Sequence, residues 1–481
     1  MGYGQTWLFR YPAPLHDAEV GMEREYSRQP SYYDMEDVDE EEATNVTAMI
    51  SRDKDVAAFA MTPIAPDRSD ALLLALLYRR DDNQFHFSAV GLRKDSTPTP
   101  LDRAMANANM PHEASLLSCD VLQLPSSRSV LLLLYQEPRD GRCWLTLQPV
   151  GSGTHGEQVS GRRQRFEQSS VPLKPVVVTA RHNEKIFYGV LLFRFESVIA
   201  CGYVHDSSTS PDNQTPLEAE QLPPDDFARF FPHLVECPLG VTAYHTTTTT
   251  SDKESPTRVL ALGCANGVIK VMGGKAALDG FESVACTKQF ELDGPISSLH
   301  VFNVHAHVDT RDRCAMHCDV LVSSSIGFAA VYHDPFDSAC RPHVLPESDY
   351  YDSILCCLSA DIDMDGIPEL LLGTFSNALI AYESKPDSRN ATNPSPGTRY
   401  PLHDGGGADA SAASWRVVAK DKWDFFFFGP VYAIVCQDMN GDGVDELIIA
   451  STDGIHVLEP DCDQVLEKLH AVLQALQQPG P

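Results

Sequence analysis

Two short segments of the chain carry oxygen-bearing side chains at alternate positions, followed by a glycine and then a glutamate. Positions one, three, five and nine are Asp361, Asp363, Asp365 and Glu369 in the first segment and Asp438, Asn440, Asp442 and Glu446 in the second. Position seven, Ile367 or Val444, would add a backbone carbonyl. Such a loop can surround a hard cation that takes about six to eight oxygen ligands. The spacing therefore predicts two calcium-binding loops.

The same side chains also close turns between strands without any metal, and that interpretation stays open. An EF-hand is excluded, because it needs a helix on each side and a glutamate at position twelve, where this chain has Leu372 and Ile449. Short apolar runs flank both loops, so the loops are predicted to join strands. Asn440 removes one negative charge, which predicts weaker calcium binding by the second loop.

A hairpin pattern that surrounds these loops recurs in the C-terminal half of the chain. In each copy a small residue is followed, four positions later, by a turn residue. The pairs are Gly263 with Gly267, Ser323 with Gly327, Gly373 with Asn377 and Ala450 with Gly454. Glycine and asparagine tolerate the positive φ of a tight two-residue hairpin turn. Because one hairpin cannot bury its own face, the repeat predicts an all-β fold, a β-propeller of about seven blades.

The propeller is predicted to occupy residues 1–460. Three polar stretches without periodicity are interpreted as insertions, near 151–170, 245–257 and 384–414. The acidic run 34–42 is interpreted as a solvated segment. In the tail, 461–481, apolar residues recur at helical spacing, which predicts a short amphipathic helix.

Composition limits the classes of partner. The chain has 37 basic and 67 acidic residues, a net charge of −30. Such a charge repels nucleic acids and anionic membranes, so neither is expected to bind directly. No apolar run is long enough to span a bilayer, and no signal peptide is recognised. With 13 irregularly spaced cysteines, the sequence predicts a reducing, cytoplasmic location.

Catalytic motifs are missing from the sequence, which has no nucleophile elbow, kinase signature or P-loop. A segment rich in histidine and cysteine at 300–318 does not have the spacing of a standard zinc module. Four consecutive aromatic residues at 425–428 place at least one ring on each side of a strand. We therefore expect Phe426 and Phe428 to be candidate interface anchors, with a buried strand as the alternative.

The loops and the hairpins after them resemble FG-GAP repeats, the calcium-loop blades of the integrin α-subunit propeller. Position nine departs from that pattern, since Glu369 and Glu446 stand where the repeat usually has aspartate. A wider run, from 230 to 458, resembles the kaptin family. The segments that carry this resemblance are 262–264, 293–297, 330–334, 348–356, 361–370, 442–447 and 454–458.

Resemblance to kaptin implies a non-enzymatic scaffold subunit of KICSTOR. That complex is lysosome-associated, positions the GTPase-activating complex for the Rag GTPases, and restrains target-of-rapamycin complex 1 when amino acids are scarce. The resemblance also implies pairing with a second FG-GAP-like propeller subunit. Two alternatives stay open: a propeller that binds actin filaments in protrusions such as lamellipodia, and a calcium-dependent adhesion module.

Overall fold

The computed structural model describes most of the strands and the shorter connections between them. The described residues are 3–8, 56–64, 72–79, 84–90, 115–124, 128–136, 143–150, 162–166, 174–206, 220–249, 256–277, 280–306, 316–362, 364, 367–385, 414–418, 425–427, 429–438, 443–451, 454–460, 466 and 470. Within them, β-strands form nearly all of the regular structure.

The described strands form seven antiparallel sheets, here named blades 1 to 7 in chain order. The first strand, β1 (Tyr3–Leu8), belongs to blade 7. Blade 1 contains β2 (Val56–Ile64), β3 (Leu72–Arg79) and β4 (Gln84–Val90). Blade 2 contains β5 (Ser115–Leu124), β6 (Arg128–Gln136), β7 (Cys143–Val150) and β8 (Arg162–Phe166). Blade 3 contains β9 (Lys174–His182), β10 (Lys185–Phe193), β11 (Val198–Asp206) and β12 (Glu220–Gln221).

The remaining blades follow the same order. Blade 4 contains β13 (Val241–Thr249), β14 (Thr257–Cys264), β15 (Val268–Ala277) and β16 (Gly280–Glu291). Blade 5 contains β17 (Ile296–Ala306), β18 (Met316–Ser324), β19 (Phe328–His333) and β20 (Pro342–Val344). Blade 6 contains β21 (Ile354–Ala360), β22 (Glu369–Thr374), β23 (Ala378–Lys385), β24 (Ser414–Val417) and β25 (Phe425–Phe426). Blade 7 contains β26 (Val431–Gln437), β27 (Glu446–Ser451) and β28 (Gly454–Pro460), with β1 added beside β28.

Each blade packs against the next one, and blade 7 packs against blade 1 through β26 and β2. The apolar clusters lie between neighbouring blades, as between blades 4 and 5, where Val259 and Val271 meet Ile296 and Val320. Because β1 pairs with β28, the two ends of the ring meet in one sheet. The expected all-β propeller is confirmed, and the described strands form seven blades.

In the described part of the chain, helical structure is confined to connections and to the tail. The helix α1 (Pro224–Phe230) and a 3-10 turn at Pro232–Leu234 lie between blades 3 and 4, where Phe230 and Phe231 pack on Phe187. A second 3-10 turn, Ser348–Tyr350, connects blades 5 and 6. In the predicted C-terminal helix, only 466 and 470 are described, and both are helical. No helix in the described part of the chain is both long and apolar enough to span a bilayer.

All four predicted turn residues adopt positive φ: 84° at Gly267, 94° at Gly327, 67° at Asn377 and 128° at Gly454. The predicted two-residue length is wrong for the first three turns, which have three residues each. A three-residue hairpin loop also ends in a left-handed residue, so the same residue types fit both lengths. The hairpins themselves are where the sequence predicts them.

The small residue of each repeat is explained by the blade that follows. A Cβ atom on Gly373 would lie 2.6 Å from Val431 Cγ1, at the start of β26. A Cβ atom on Gly263 would collide with Ile296 Cγ2, at the start of β17. The second strand of one blade therefore needs a small residue where the inner strand of the next blade begins.

A feature that the sequence does not reveal is a register shift near the start of the inner strand. It occurs in six of the blades, at Ala58/Ala60, Leu116/Ser118, Val241/Ala243, Ile296/Ser298, Ile354/Cys356 and Val431/Ala433. In blade 4 the shift frees Thr242, whose Oγ1 donates a 2.6 Å hydrogen bond to Ile296 O of the next blade. The bulged residue therefore links neighbouring blades.

Two of the three predicted insertions contain strand. The stretch 245–257 includes the end of β13, in which Thr249 pairs with Thr257. Because threonine is β-branched and favours strands, this polar run continues strand β13. The stretch 151–170 includes β8, which completes blade 2. The third insertion and the acidic run 34–42 lie outside the described residues, apart from the ends of β23 and β24.

Candidate functional site

The two acidic loops lie on the same side of the ring. Each connects the inner strand of a blade to its second strand, β21 to β22 in blade 6 and β26 to β27 in blade 7. Antiparallel strands reverse direction at every turn, so these loops share one end of their blades. We call this side the loop face. The turns between second and third strands, and the connections from blade to blade, lie on the opposite side, the turn face.

In the first loop, the glutamate at position nine faces inward. Glu369 is 6 % exposed at the start of β22, where it pairs with Ala360. Its Oε2 accepts a 3.0 Å hydrogen bond from the Ile362 backbone N–H. Ile362 is buried in the cluster between blades 6 and 7. Glu369 therefore closes its loop and fixes a residue that packs on the next blade.

The second loop repeats the arrangement with different partners. Glu446 is 1 % exposed and pairs with Gln437 at the start of β27. Asp438 Oδ2 accepts a 2.9 Å hydrogen bond from the N–H of Gly443, whose φ is 89°. These contacts agree with the turn-closing interpretation.

Four of the ten predicted ligands lie outside the described residues: Asp363, Asp365, Asn440 and Asp442. The position-seven residues Ile367 and Val444 are half-buried. Among the residues that are described, no group of three or more histidine, cysteine, aspartate or glutamate side chains is placed to hold a metal. Calcium binding at these loops stays a prediction.

A buried thiol lies where the charges of the two loops meet. The pKa of Cys436 is raised to about 12, first by burial and then by the negative charges of Asp445, Glu446 and Asp361. Burial also raises the pKa of Cys201 and Cys237 to about 12. These thiols stay protonated at neutral pH and are poor nucleophiles. Among the described cysteines, nine are free thiols, while Cys286 is disulfide-bonded.

The aromatic run 425–428 contributes to the core. β25 pairs with β23, and Phe427 is buried between blades 6 and 7, where its ring meets that of His456 edge to face at 4.7 Å. The side chains of Phe426 and Phe428, the predicted interface anchors, lie outside the described residues. Their role as anchors stays a prediction.

The histidines of the segment 300–318 have separate partners. The ring of His300 is tilted against that of His245 with the ring centres 4.3 Å apart, and burial lowers the pKa of His300 to about 3. His317 Nδ1 lies 2.8 Å from the carboxylate of Asp334 instead. Within the described residues, these side chains therefore serve local packing and pairing.

A polar chain connects blades 5 and 6 near this segment. His333 Nδ1 and Asn303 Nδ2 lie 3.0 and 2.9 Å from the two carboxylate oxygens of Asp319. The buried Trp415 of β24 donates its indole N–H to His333 Nε2 at 3.4 Å. Because an indole can only donate, His333 must carry its proton on Nδ1 and donate it to Asp319. This network holds two blades in register.

Large apolar side chains are exposed at the turn face. Each is more than half exposed, and the set is Phe195, Val235, Leu239, Ile326, Tyr350 and Phe375. Three of them, Phe195, Ile326 and Phe375, occupy turns between second and third strands, while the other three lie in connections between blades. Sequence reasoning missed this set. Alignment of the hairpin turns could have found it, because Ile326 occupies the turn position that is Asn266 in blade 4, and an apolar residue at a polar turn position indicates an exposed apolar side chain.

A comparison with family sequence models decides the family. The model described as KICSTOR complex protein kaptin matches residues 218–470, more than half of the chain. The chain belongs to the kaptin family. Kaptin of Mus musculus, described as KICSTOR complex protein kaptin, is 30 % identical over 234 residues. That alignment covers 47 % of this chain and 48 % of the mouse protein, so the chain spans about half the length of the curated relative it matches.

The kaptin match covers blades 4, 5 and 6 and the three C-terminal strands of blade 7. It includes both acidic loops and five of the six exposed turn-face residues, all except Phe195. The features that distinguish the two faces therefore lie in the part of the chain that is kaptin-like.

Proposed function

We propose that this chain is a non-enzymatic scaffold subunit of a KICSTOR-type complex. The observation that carries the proposal is the kaptin family match over blades 4 to 7. A ring of blades that are locked to one another is a rigid body with two separate faces, which suits a subunit that holds partners in fixed positions.

In this role the chain binds a second FG-GAP-like propeller subunit and the other KICSTOR subunits. Through the assembly it acts with the GTPase-activating complex for the Rag GTPases. It thereby helps to restrain target-of-rapamycin complex 1 during amino-acid starvation. The chain is cytoplasmic and reaches the lysosome through the complex, since its net charge of −30 opposes direct contact with anionic lipid.

The described polar groups support a structural role. Glu369 and Asp438 close loops, and Asp319, His333 and Trp415 connect two blades. We also propose that the acidic loops hold structural calcium, as the FG-GAP resemblance implies. Calcium there would tie each loop to its blade.

Purification of the tagged full-length protein from its own cells, followed by mass spectrometry, tests the scaffold role. We expect recovery of a second propeller subunit and of other KICSTOR subunits, above a tag-only control. Recovery of actin-network proteins alone would overturn the proposal. A filament co-sedimentation assay with purified protein would then show whether actin binding is direct.

A further inference from the structure

Three exposed apolar side chains lie along neighbouring parts of the turn face in blades 5 and 6. We define them as the turn-face patch: Ile326, Tyr350 and Phe375, which are 60 %, 78 % and 51 % exposed. The connection that carries Tyr350 touches the turns that carry the other two. A Cβ atom on Gly327 would lie 3.0 Å from Tyr351 O.

The same connection is hydrogen-bonded to the second turn. Phe375 N donates to Ser353 O at 2.8 Å, and Asp352 N donates to Ser376 Oγ at 2.9 Å. The patch is therefore one surface across two blades.

The fold does not need large apolar residues at these turn positions. Blade 4 builds a turn of the same length from Ala265, Asn266 and Gly267, with the same positive φ at its third residue. Blade 5 has Ile326 in place of the asparagine, and blade 6 has Phe375 in place of the alanine. Exposed apolar area of this kind has no role in folding and is typical of a binding surface.

The surface is held in place before any partner arrives. Tyr350 N donates to Glu347 O at 3.1 Å, and the buried Ser348 donates its hydroxyl to Leu345 O at 2.9 Å. Ser348 Oγ also accepts from the Ala329 N–H of blade 5 at 3.2 Å. A preorganised surface loses little conformational entropy on binding.

Acidic side chains surround the patch. Asp293, Glu347, Asp349 and Asp352 are all exposed. Asp293 precedes Gly294, at which a Cβ atom would lie 2.9 Å from Ile326 Cγ1. The segments 293–295, 325–327, 345–353 and 375–377 contain no lysine or arginine. The patch therefore combines apolar anchor sites with an uncompensated negative charge.

We propose that the turn-face patch binds a protein segment whose apolar side chains are flanked by lysines or arginines. Charge complementarity selects this occupant, because basic residues on either side of an apolar anchor face the acidic rim. A second copy of this chain would bring the same acidic rim and repel the first. Nucleic acids and anionic membranes are repelled for the same reason. The inference rests on the proposed scaffold function, to which it adds the binding face and the chemistry of the partner.

The test uses full-length protein and three synthetic peptides of equal length. The first alternates leucine and phenylalanine with lysine, the second replaces lysine with glutamate, and the third replaces the apolar residues with serine. Affinity is measured by calorimetry for the wild type, for the triple variant I326N, Y350S, F375A, and for the control V204S, V284S. The control removes exposed apolar residues from the outer strands β11 and β16, away from their turn-face ends.

We expect the lysine peptide to bind the wild type and the control alike, and to bind the triple variant at least about tenfold more weakly. Two of the three substitutions introduce residues that blade 4 already uses, so the fold is retained, which thermal melting verifies. Equal binding by the triple variant, or equal binding of the glutamate or serine peptide, would overturn the proposal.

Hydrogen exchange locates the peptide independently. Protection at 325–327, 348–353 and 375–377 supports the patch, whereas protection confined to the loop face at 367–369 and 443–446 contradicts it. Wild-type self-association in sedimentation, lost in the triple variant, would assign the patch to a second copy and overturn the proposal.

The two proposals can fail separately. If the lysine peptide binds the patch but no KICSTOR subunit co-purifies from cells, the scaffold assignment fails and the patch stands. If KICSTOR subunits co-purify equally with the wild type and the triple variant, the patch fails and the scaffold assignment stands.

Discussion

The two faces of the ring use acidic side chains in opposite ways. On the loop face, Glu369 and Glu446 are buried and lie within the loops themselves. On the turn face, Asp349 and Asp352 are exposed beside the exposed ring of Tyr350. A carboxylate that is buried and hydrogen-bonded stabilises its own loop, whereas one left in water stays available to a partner. We therefore interpret the acidic motif as a structural site and propose the turn face as the surface for binding.

The largest expected effect is at the turn-face end of β22. Gly373→Val places a branched side chain where the Cβ atom alone would lie 2.6 Å from Val431, so we expect a loss of about 3 kcal/mol in the free energy of unfolding. Gly443→Ala is the control, since nothing lies within 4 Å of its Cβ position and only its positive φ is strained. The Gly443→Ala variant should lose about 1 kcal/mol in the free energy of unfolding. Equal urea midpoints for the two variants would contradict tight packing between blades 6 and 7.

Two half-buried histidines predict a pH dependence of stability. Burial lowers the pKa of His233 to about 4, with the charges of Arg258 and Lys270 adding to the effect. The pKa of His300 is lowered to about 3, first by burial and then by the charge of His245. As pH falls, the unfolded chain binds protons at these histidines before the folded chain does. The stability contributed by the neutral histidines is therefore complete above pH 6.5 and is lost as pH falls toward 4 for His233 and toward 3 for His300.

We expect a loss of about 2 kcal/mol per histidine between pH 7 and pH 5, seen in urea midpoints at the two values. His300→Phe should flatten this dependence, while His317→Gln, at an exposed position, should leave it unchanged. An unaltered dependence in His300→Phe would contradict the burial of a neutral imidazole there.

A smaller effect is expected for the glutamate that closes the first loop. Glu369→Ala removes the acceptor of the Ile362 N–H and should lose about 2 kcal/mol, whereas Glu369→Gln keeps an acceptor oxygen and should lose about half of that. Thermal melting in the presence of chelator measures both variants. If the Glu369→Ala and Glu369→Gln variants have the same melting temperature in the presence of chelator, Glu369 does not act as a hydrogen-bond acceptor in loop closure.

The sequence predicts the hairpins of this fold better than its surfaces. Gly263 and Gly267 reveal a hairpin because close packing and positive φ restrict those positions to few residue types. The pairing of β1 with β28 leaves no local signal, because it joins opposite ends of the chain. The sequence also does not predict that Ile326 and Phe375 are exposed, because an apolar residue type in a short turn does not indicate whether neighbouring blades cover its side chain.

Calcium should have a modest effect confined to the loop face. If the loops bind calcium at about 10⁻⁴ M, 1 mM calcium stabilises the chain by about 1.4 kcal/mol for each occupied site. Thermal melting with calcium and with chelator measures this shift, and Asp361→Asn with Asp438→Asn should remove it. No shift in the wild type would support turn closure without metal.

The smallest effect on stability is expected at the turn-face patch. Ile326→Asn and Phe375→Ala should each change the free energy of unfolding by less than about 0.5 kcal/mol, because both side chains are exposed. Urea titration provides the measurement, with Val344→Ser as a control of similar exposure. A loss above about 2 kcal/mol would show that these side chains support the fold.

Co-purification from the protein's own cells tests most directly whether the turn face holds the partners of this scaffold. The tagged wild type, the triple variant I326N, Y350S, F375A and the loop-face variant D361N, D438N are compared by quantitative mass spectrometry. We predict that KICSTOR subunits are recovered with the wild type and the loop-face variant and are lost with the triple variant. If KICSTOR subunits are lost with the loop-face variant and are recovered with the triple variant, the assignment of the two faces is contradicted.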